Sequence, residues 1–149
     1  MIGGFADEHF FLSNFSQDPT PWVAGATIAE YPTAEHAFQA SKTFNVSERR
    51  RVFKAATPSA AKKAGRSLAL RADWEAVKDD VMLGVLFSKF TFDIPIRQAL
   101  LTTAPHELIE GNTWHDNYWG DCICGREACV GEGKNMLGIL LMRVRTALL

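Results

Sequence analysis

Residues 31–42, YPTAEHAFQASK, are where an extended, β-like stretch gives way to helical periodicity, and the other elements can be placed outward from them. Thr33 is the expected N-cap, its hydroxyl accepting a first-turn N–H. At about 100° per residue, Glu35, Gln39 and Lys42 fall on one narrow stripe with His36 on its flank. Ala34, Ala37, Phe38, Ser41 and Phe44 occupy the opposite stripe. The pattern predicts one core face and one polar ledge. Read structurally, the ledge is a solvated network in which Glu35 favours the positive helix end and pairs with Gln39 and Lys42.

Upstream, FFLSNF (10–15) reads as a short strand entering a polar turn, and WVAGATIAEY (22–31) as a hairpin about Ala24 and Gly25. Together they predict a small antiparallel sheet. Downstream, Ser47 is expected to cap ERRRVFKAA, and Thr57 to cap a helix with Pro58 at its first position and Gly65 as its stop. Asp73 opens the longest helix, with Trp74, Val77, Val81, Val85 and Phe90 at near-helical period. A helix at PIRQALLTT (95–103) and a strand at HELIEGN (106–112) lead into the irregular run 113–135. A last helix carries the apolar stripe Leu137, Leu140, Leu141, Val144 and Leu148. Helices dominate and no β-α alternation appears, so the expected class is α+β, predominantly helical, in one compact domain over residues 1–149.

Hydrophobic residues make up 47% and charged residues 22%, ordinary globular usage. Lys plus Arg number 16 against 17 Asp plus Glu, so no global positive field draws the chain to nucleic acid or an anionic membrane. MIGGFADEHFF lacks a basic region followed by an apolar core, and the longest apolar run, LGILLM, is far too short for a bilayer. A cytoplasmic protein with no membrane partner is expected.

Two further stretches can carry chemistry. NTWHDNYWGD (112–121) offers aromatic stacking surfaces and, in Asp116 or Asp121, a second carboxylate. GEGKNMLG (131–138) is a glycine-rich turn opening a helix, where N–H groups and the dipole favour an anion within reach of Lys134. Arg66, just past Gly65, is a comparable cation. Cys122, Cys124 and Cys129 form an odd, clustered set, a poor disulfide framework that reads as free thiols. A zinc site would need a fourth ligand, with His115 the residue to promote. Neither a metal nor a redox cofactor is expected.

The ordered set FLSNF (11–15), YPTAEHAFQASK (31–42), AGR (64–66), DWEAVKDDVM (73–82), YWGD (118–121) and GKNMLGILLMRVR (133–145) resembles the NADAR family, the YbiA-like N-glycosidase domains. The resemblance implies a compact, largely helical fold that cleaves a bond between ribose C1 and a nitrogen. The substrates it implies are phosphoribosylamino-pyrimidine intermediates of riboflavin synthesis or ADP-ribosylated bases, including ADP-ribosylated nucleic acid. Family motif positions fall on Asn14, Glu35, His36, Gln39, Lys42, Arg66, Trp74, Trp119, Asp121, Lys134 and Asn135. Where family members commonly have a short glycine-rich run before GKN, this chain has the longer CICGREACVGE (122–132).

Breaking such a bond develops positive charge on the ribose, which a carboxylate stabilises while another handles a proton. On this reading Glu35 and Asp121 are the catalytic pair. Asn14, Gln39 and Asn135 bind ribose hydroxyls, Lys42, Arg66 and Lys134 hold phosphate, Trp119 or Trp74 stacks on the base, and His36 completes the substrate-binding set. The alternatives are an ADP-ribosyl glycohydrolase acting on nucleobases or protein, and a non-catalytic NAD or ADP-ribose binding module.

Overall fold

The computed structural model describes all residues, Met1–Leu149. In chain order the elements are β1 (Ile2–Gly3), a 3-10 turn (Asp7–Leu12), β2 (Thr20–Ala24), β3 (Thr27–Tyr31), α1 (Ala34–Ala40), α2 (Val46–Phe53), α3 (Pro58–Gly65), α4 (Trp74–Phe92) and α5 (Ile94–Thr102). Then come β4 (Leu108–Ile109), β5 (Gly111–Asn112), β6 (Asp121–Cys122), a 3-10 turn (Glu127–Cys129) and α6 (Met136–Ala147). Helix predominates over three two-stranded sheets, as expected. No helix is long and apolar enough to cross a membrane. The chain divides into two compact units, one continuous (Asn14–Ile94) and one assembled from Met1–Ser13 with Pro95–Leu149.

In the continuous unit, β2 and β3 form the expected hairpin, in register from Thr20↔Tyr31 to Ala24↔Thr27. Gly25 opens its turn at φ +62°, a conformation that favours glycine. All seven residues of α1 are buried, with β2, β3, α2, α3 and α4 packed around it. Such close surrounding is feasible because the residues at the contacts are small: Ala34, Ala37 and Ala40 meet Ala24, Ala61, Val52 and Val85. Lys89 of α4 is also buried, its Nζ donating to Ser16 Oγ at 2.7 Å and lying 3.8 Å from Asp18 Oδ2.

Several local expectations are corrected. Phe10–Leu12 belong to a 3-10 turn rather than a strand. Asn45, not Ser47, caps α2, its Oδ1 accepting Glu48 N–H at 3.1 Å. Asp73 sits at the N-cap of α4 but turns its carboxylate to Arg71, at 2.6 and 2.9 Å, and caps nothing. Phe44 is exposed beneath the Arg71 guanidinium, 4.4 Å from its ring centre, instead of joining the core. The supposed solvated ledge of α1 is interior: Glu35, His36 and Gln39 are 6%, 1% and 3% exposed.

In the second unit β1 pairs in parallel with β4, Ile2 opposite Leu108, and β5 pairs in parallel with β6. HELIEGN is therefore two short strands parted at Glu110. α6 buries Leu137, Leu140, Leu141 and Val144 as its stripe predicts, and packs on β4. A Cβ on Gly138 would lie 2.1 Å from the Leu108 carbonyl oxygen, so only glycine permits this approach.

Candidate functional site

α1 begins at Thr33, whose hydroxyl accepts the His36 N–H at 3.3 Å, as a capping threonine should. The cap fixes which side chains follow at the first turn. Glu35 N–H is held by the Asn14 carbonyl at 3.1 Å, tying the residue-14 loop to the same turn. Its Oε1 accepts the Gln39 amide Nε2–H at 2.7 Å, the one-turn spacing expected of positions 35 and 39.

Two buried acceptors, one on Gln39 and one on the residue-14 loop, are unsatisfied. Asn14 Nδ2 donates to Met82 Sδ at 3.3 Å and Gln39 Nε2 to Glu35, which leaves Asn14 Oδ1 and Gln39 Oε1 buried without a hydrogen-bond partner. Leaving a buried acceptor unmade costs about 1–3 kcal/mol, so both oxygens are suited to accept from the hydroxyls of a ligand. Gln39 Oε1 is pressed against α3: a Cβ on Gly65 would lie 1.8 Å from it.

The same unit brings Lys42 to this carboxylate, and Lys62 and Arg66 to Lys42. Burial holds the Lys42 ammonium below its ordinary range; the charge of Glu35 opposes that shift, while Lys62 and Arg66 reinforce it. Lys42 Nζ lies 5.7 and 5.9 Å from the ring centres of Phe38 and Trp74, which contact each other at 5.2 Å. Lys62 lies 5.9 Å from the Phe15 ring centre. None of Lys42, Lys62 and Arg66 closes an ion pair with a carboxylate. A buried acid, two unsatisfied acceptors, a buried Trp74 and three cations without ion pairs suit a phosphorylated, polyhydroxylated ligand. Lys62 was missed in the sequence, although it stands one helical turn before Arg66.

His36 has a different place. Its Nδ1 is 2.8 Å from Thr33 Oγ1 and its Nε2 2.9 Å from the Ala55 carbonyl, so both ring nitrogens are spent on the protein and neither is left for a ligand.

The remaining motif residues lie in the other unit. Asn135 takes the left-handed conformation, donates Nδ2–H to the Leu108 carbonyl at 2.8 Å and accepts Glu110 N–H at 2.9 Å through Oδ1. Its amide clamps β4 to α6. Asp121 Oδ1 accepts Gly133 N–H at 2.7 Å. The half-buried Trp119 ring packs edge-on against Tyr118 at 5.0 Å, and exposed Lys134 lies 4.9 Å from the Tyr118 ring centre. The expected anion cradle at the start of α6 is filled by the chain itself. The N–H groups of Lys134, Asn135, Met136 and Leu137 donate to the carbonyls of Asn117, Gly120, Tyr118 and Trp119. Those donors are therefore not available to a phosphate.

Residues 4–149 match the family model described as the NADAR domain. The chain is 40% identical over 145 residues to N-glycosidase YbiA of Escherichia coli (strain K12), covering 96% of this chain and 84% of that protein. It is 36% identical to part of the Zea mays riboflavin biosynthesis protein PYRR, chloroplastic, over 80% of this chain and 20% of that one. The NMR structure of E. coli YbiA superposes with a TM-score of 0.82 at 36% identity, covering 99% of this chain and 83% of that chain. A match that runs through both units, in sequence and in fold, establishes that the chain belongs to the NADAR domain family.

Proposed function

We propose that this chain is an N-glycosidase that hydrolyses the bond between ribose C1 and a nitrogen of a phosphoribosylated base, with Glu35 as its catalytic carboxylate. The observation that carries the proposal is the buried Glu35, bonded to Gln39 through its carboxylate and to Asn14 through its N–H, with Asn14 Oδ1 and Gln39 Oε1 both unsatisfied. Ribose hydroxyls donate to those two oxygens, and Lys42, Lys62 and Arg66 neutralise the phosphate. As the C1–N bond breaks, positive charge grows on the ribose ring beside Glu35, where a carboxylate in a low-dielectric setting acts most strongly. Water oxygen bonds to C1, and the proton it loses is passed through the carboxylate to the departing nitrogen. Trp74 offers its face to the base. Asp121, Trp119, Lys134 and Asn135 enter only through their motif positions; Asp121 is assigned as second carboxylate on that basis, with its Oδ1 already engaged by Gly133.

The names of the relatives, N-glycosidase and riboflavin biosynthesis protein, favour a phosphoribosylamino-pyrimidine as substrate. A second reading, release of ADP-ribose from a base or protein, is favoured by the third cation, Lys62, which suits a diphosphate better than one phosphate. Purified protein incubated with phosphoribosylamino-pyrimidines, NAD and ADP-ribosylated DNA, with products weighed by mass spectrometry, separates the two. Ribose 5-phosphate release is expected. ADP-ribose release moves the assignment to the second reading, and intact ligand that nevertheless binds would make the domain a recognition module.

A further inference from the structure

The irregular run between β5 and α6 carries a cluster that the proposed activity does not use. His115, Cys122, Cys124 and Cys129 bring one imidazole nitrogen and three sulfurs within 4.8 Å of one another. His115 Nδ1 lies 3.3 Å from Cys129 Sγ, 3.4 Å from Cys124 Sγ and 4.0 Å from Cys122 Sγ. A tetrahedral zinc ion with Zn–S bonds of about 2.3 Å and a Zn–N bond of about 2.0–2.1 Å sets N···S separations near 3.6 Å and S···S separations near 3.8 Å. The three N···S separations bracket the first value, and no pair of donors is farther apart than 4.8 Å.

The loop is shaped to converge these donors. His115 adopts φ +70°, an uncommon conformation for a non-glycine residue, and Gly125 at φ +76° turns the chain between the second and third cysteines. The Asn117 Oδ1 accepts the Cys122 N–H at 2.8 Å, and Asp116 Oδ1 accepts the N–H groups of Tyr118 and Trp119. Yet the loop has little apolar burial of its own: Trp114, Ile123 and Val130 are 58%, 71% and 79% exposed. Segments with so small a core are commonly held by a metal or a disulfide. Three thiols cannot pair completely, and an imidazole within reach of all three has no part in a disulfide.

We propose that His115, Cys122, Cys124 and Cys129 form a structural zinc site. Soft thiolates select zinc over magnesium or calcium, and four protein ligands close the tetrahedron, leaving no open position for a reacting water. The metal's work is mechanical. It joins residue 115 to residues 122–129, bracketing the carbonyls of Asn117 to Gly120 that cap α6.

The full chain, expressed without a metal-binding tag in zinc-supplemented medium and purified with reductant, is expected to carry one zinc per molecule by elemental mass spectrometry. Exchange for cobalt(II) should give the intense thiolate charge-transfer and tetrahedral d–d absorption. In the same wild-type protein the three cysteines should resist alkylation until a strong chelator is added. Amides of Lys134 to Leu137 should then exchange about tenfold or more faster and recover with added zinc. C129S and H115A should lose most bound zinc. Wild-type protein that binds neither zinc nor cobalt, or whose thiols alkylate equally fast with and without zinc, overturns the proposal, as does a disulfide among these cysteines that persists in reductant-purified, zinc-supplemented protein. Because the wild type answers on its own, a variant that fails to fold does not protect the idea.

Discussion

A glutamate only 6% exposed, hydrogen-bonded to a glutamine whose own oxygen has no donor, is costly in the first turn of a helix unless something else uses it. Glu35→Gln keeps the shape and removes the charge, so turnover on the authentic substrate should fall by about 10²–10⁴-fold, the usual scale of acid–base catalysis. Unfolding should stay cooperative, with a stability change of about 1 kcal/mol or less by urea titration. Turnover near wild type in the folded variant would end the case for Glu35. His36 and Lys42 should part company. His36→Ala orphans the Ala55 carbonyl, leaves the Thr33 hydroxyl with only the backbone N–H of residue 36, and should cost about 1–3 kcal/mol of stability. Lys42→Ala should leave stability nearly unchanged and raise KM, read by steady-state kinetics beside melting curves. The residue types at 35, 39 and 42 were legible in the sequence, but their burial was not. Helical spacing sorts side chains by angle, whereas the neighbours that α2 and α3 bring up, Val52 and Ala61, decide whether a polar angle faces water.

Lys89 makes a separate residue-scale prediction. Burial pushes its ammonium down from 10.5 to about 8, partly opposed by Asp18 and Asp93. Between pH 8 and 10.5 the unfolded chain holds this proton and the folded chain does not, so stability should rise with pH across that window. Below pH 8 the full cost of the buried charge is present. Urea midpoints of wild type should therefore climb over this range relative to those of Lys89→Met, which should be the more stable variant at pH 7. Parallel curves for the two proteins would show that Asp18 and Ser16 compensate the charge fully.

At the scale of elements, α1 and α3 are set together by what Gly65 lacks. Gly65→Ala places a methyl group where Gln39 Oε1 now sits. The helices must part or Gln39 must turn, and overpacking of this kind costs about 1–3 kcal/mol. Denaturation should register that loss, and activity should fall further than stability alone explains because Gln39 no longer steadies Glu35. In the sequence Gly65 reads as a helix stop, and it does end α3; its second service to Gln39 depends on a neighbour 26 positions away and leaves no local mark. The hairpin, the order of the helices and the stripe of α6 were all legible, because each rests on periodicity or turn chemistry within a few residues. The Asp73 cap was misread because Arg71, two positions back, takes the carboxylate, and the FFLSNF turn because Ser13 N–H closes locally onto the Phe10 carbonyl. The closure of α6 by the carbonyls of residues 117–120 is long-range, like the approach of Gly65 to Gln39.

At the scale of the whole molecule, the second unit is stitched from both ends of the chain. Ile2 N–H donates to the Glu107 carbonyl at 2.7 Å and Gly4 N–H to that of Ile109 at 2.8 Å. Deleting residues 1–4 should strip β4 of its only strand partner and speed amide exchange through Leu108–Ile109 and α6. The helices of Asn14–Ile94 should keep their protection, a contrast that residue-resolved hydrogen exchange can read.

The parallel pairing of β1 with β4 also has to wait on synthesis. Ile2 leaves the ribosome roughly 100 residues ahead of Leu108, a wait of about 5–20 s at ordinary elongation rates. The whole continuous unit emerges inside that interval and needs nothing translated later for its own contacts. It can close while the first strand is still waiting, so the N-terminal residues spend that time as an unpaired edge that a chaperone or a neighbouring nascent chain can meet first.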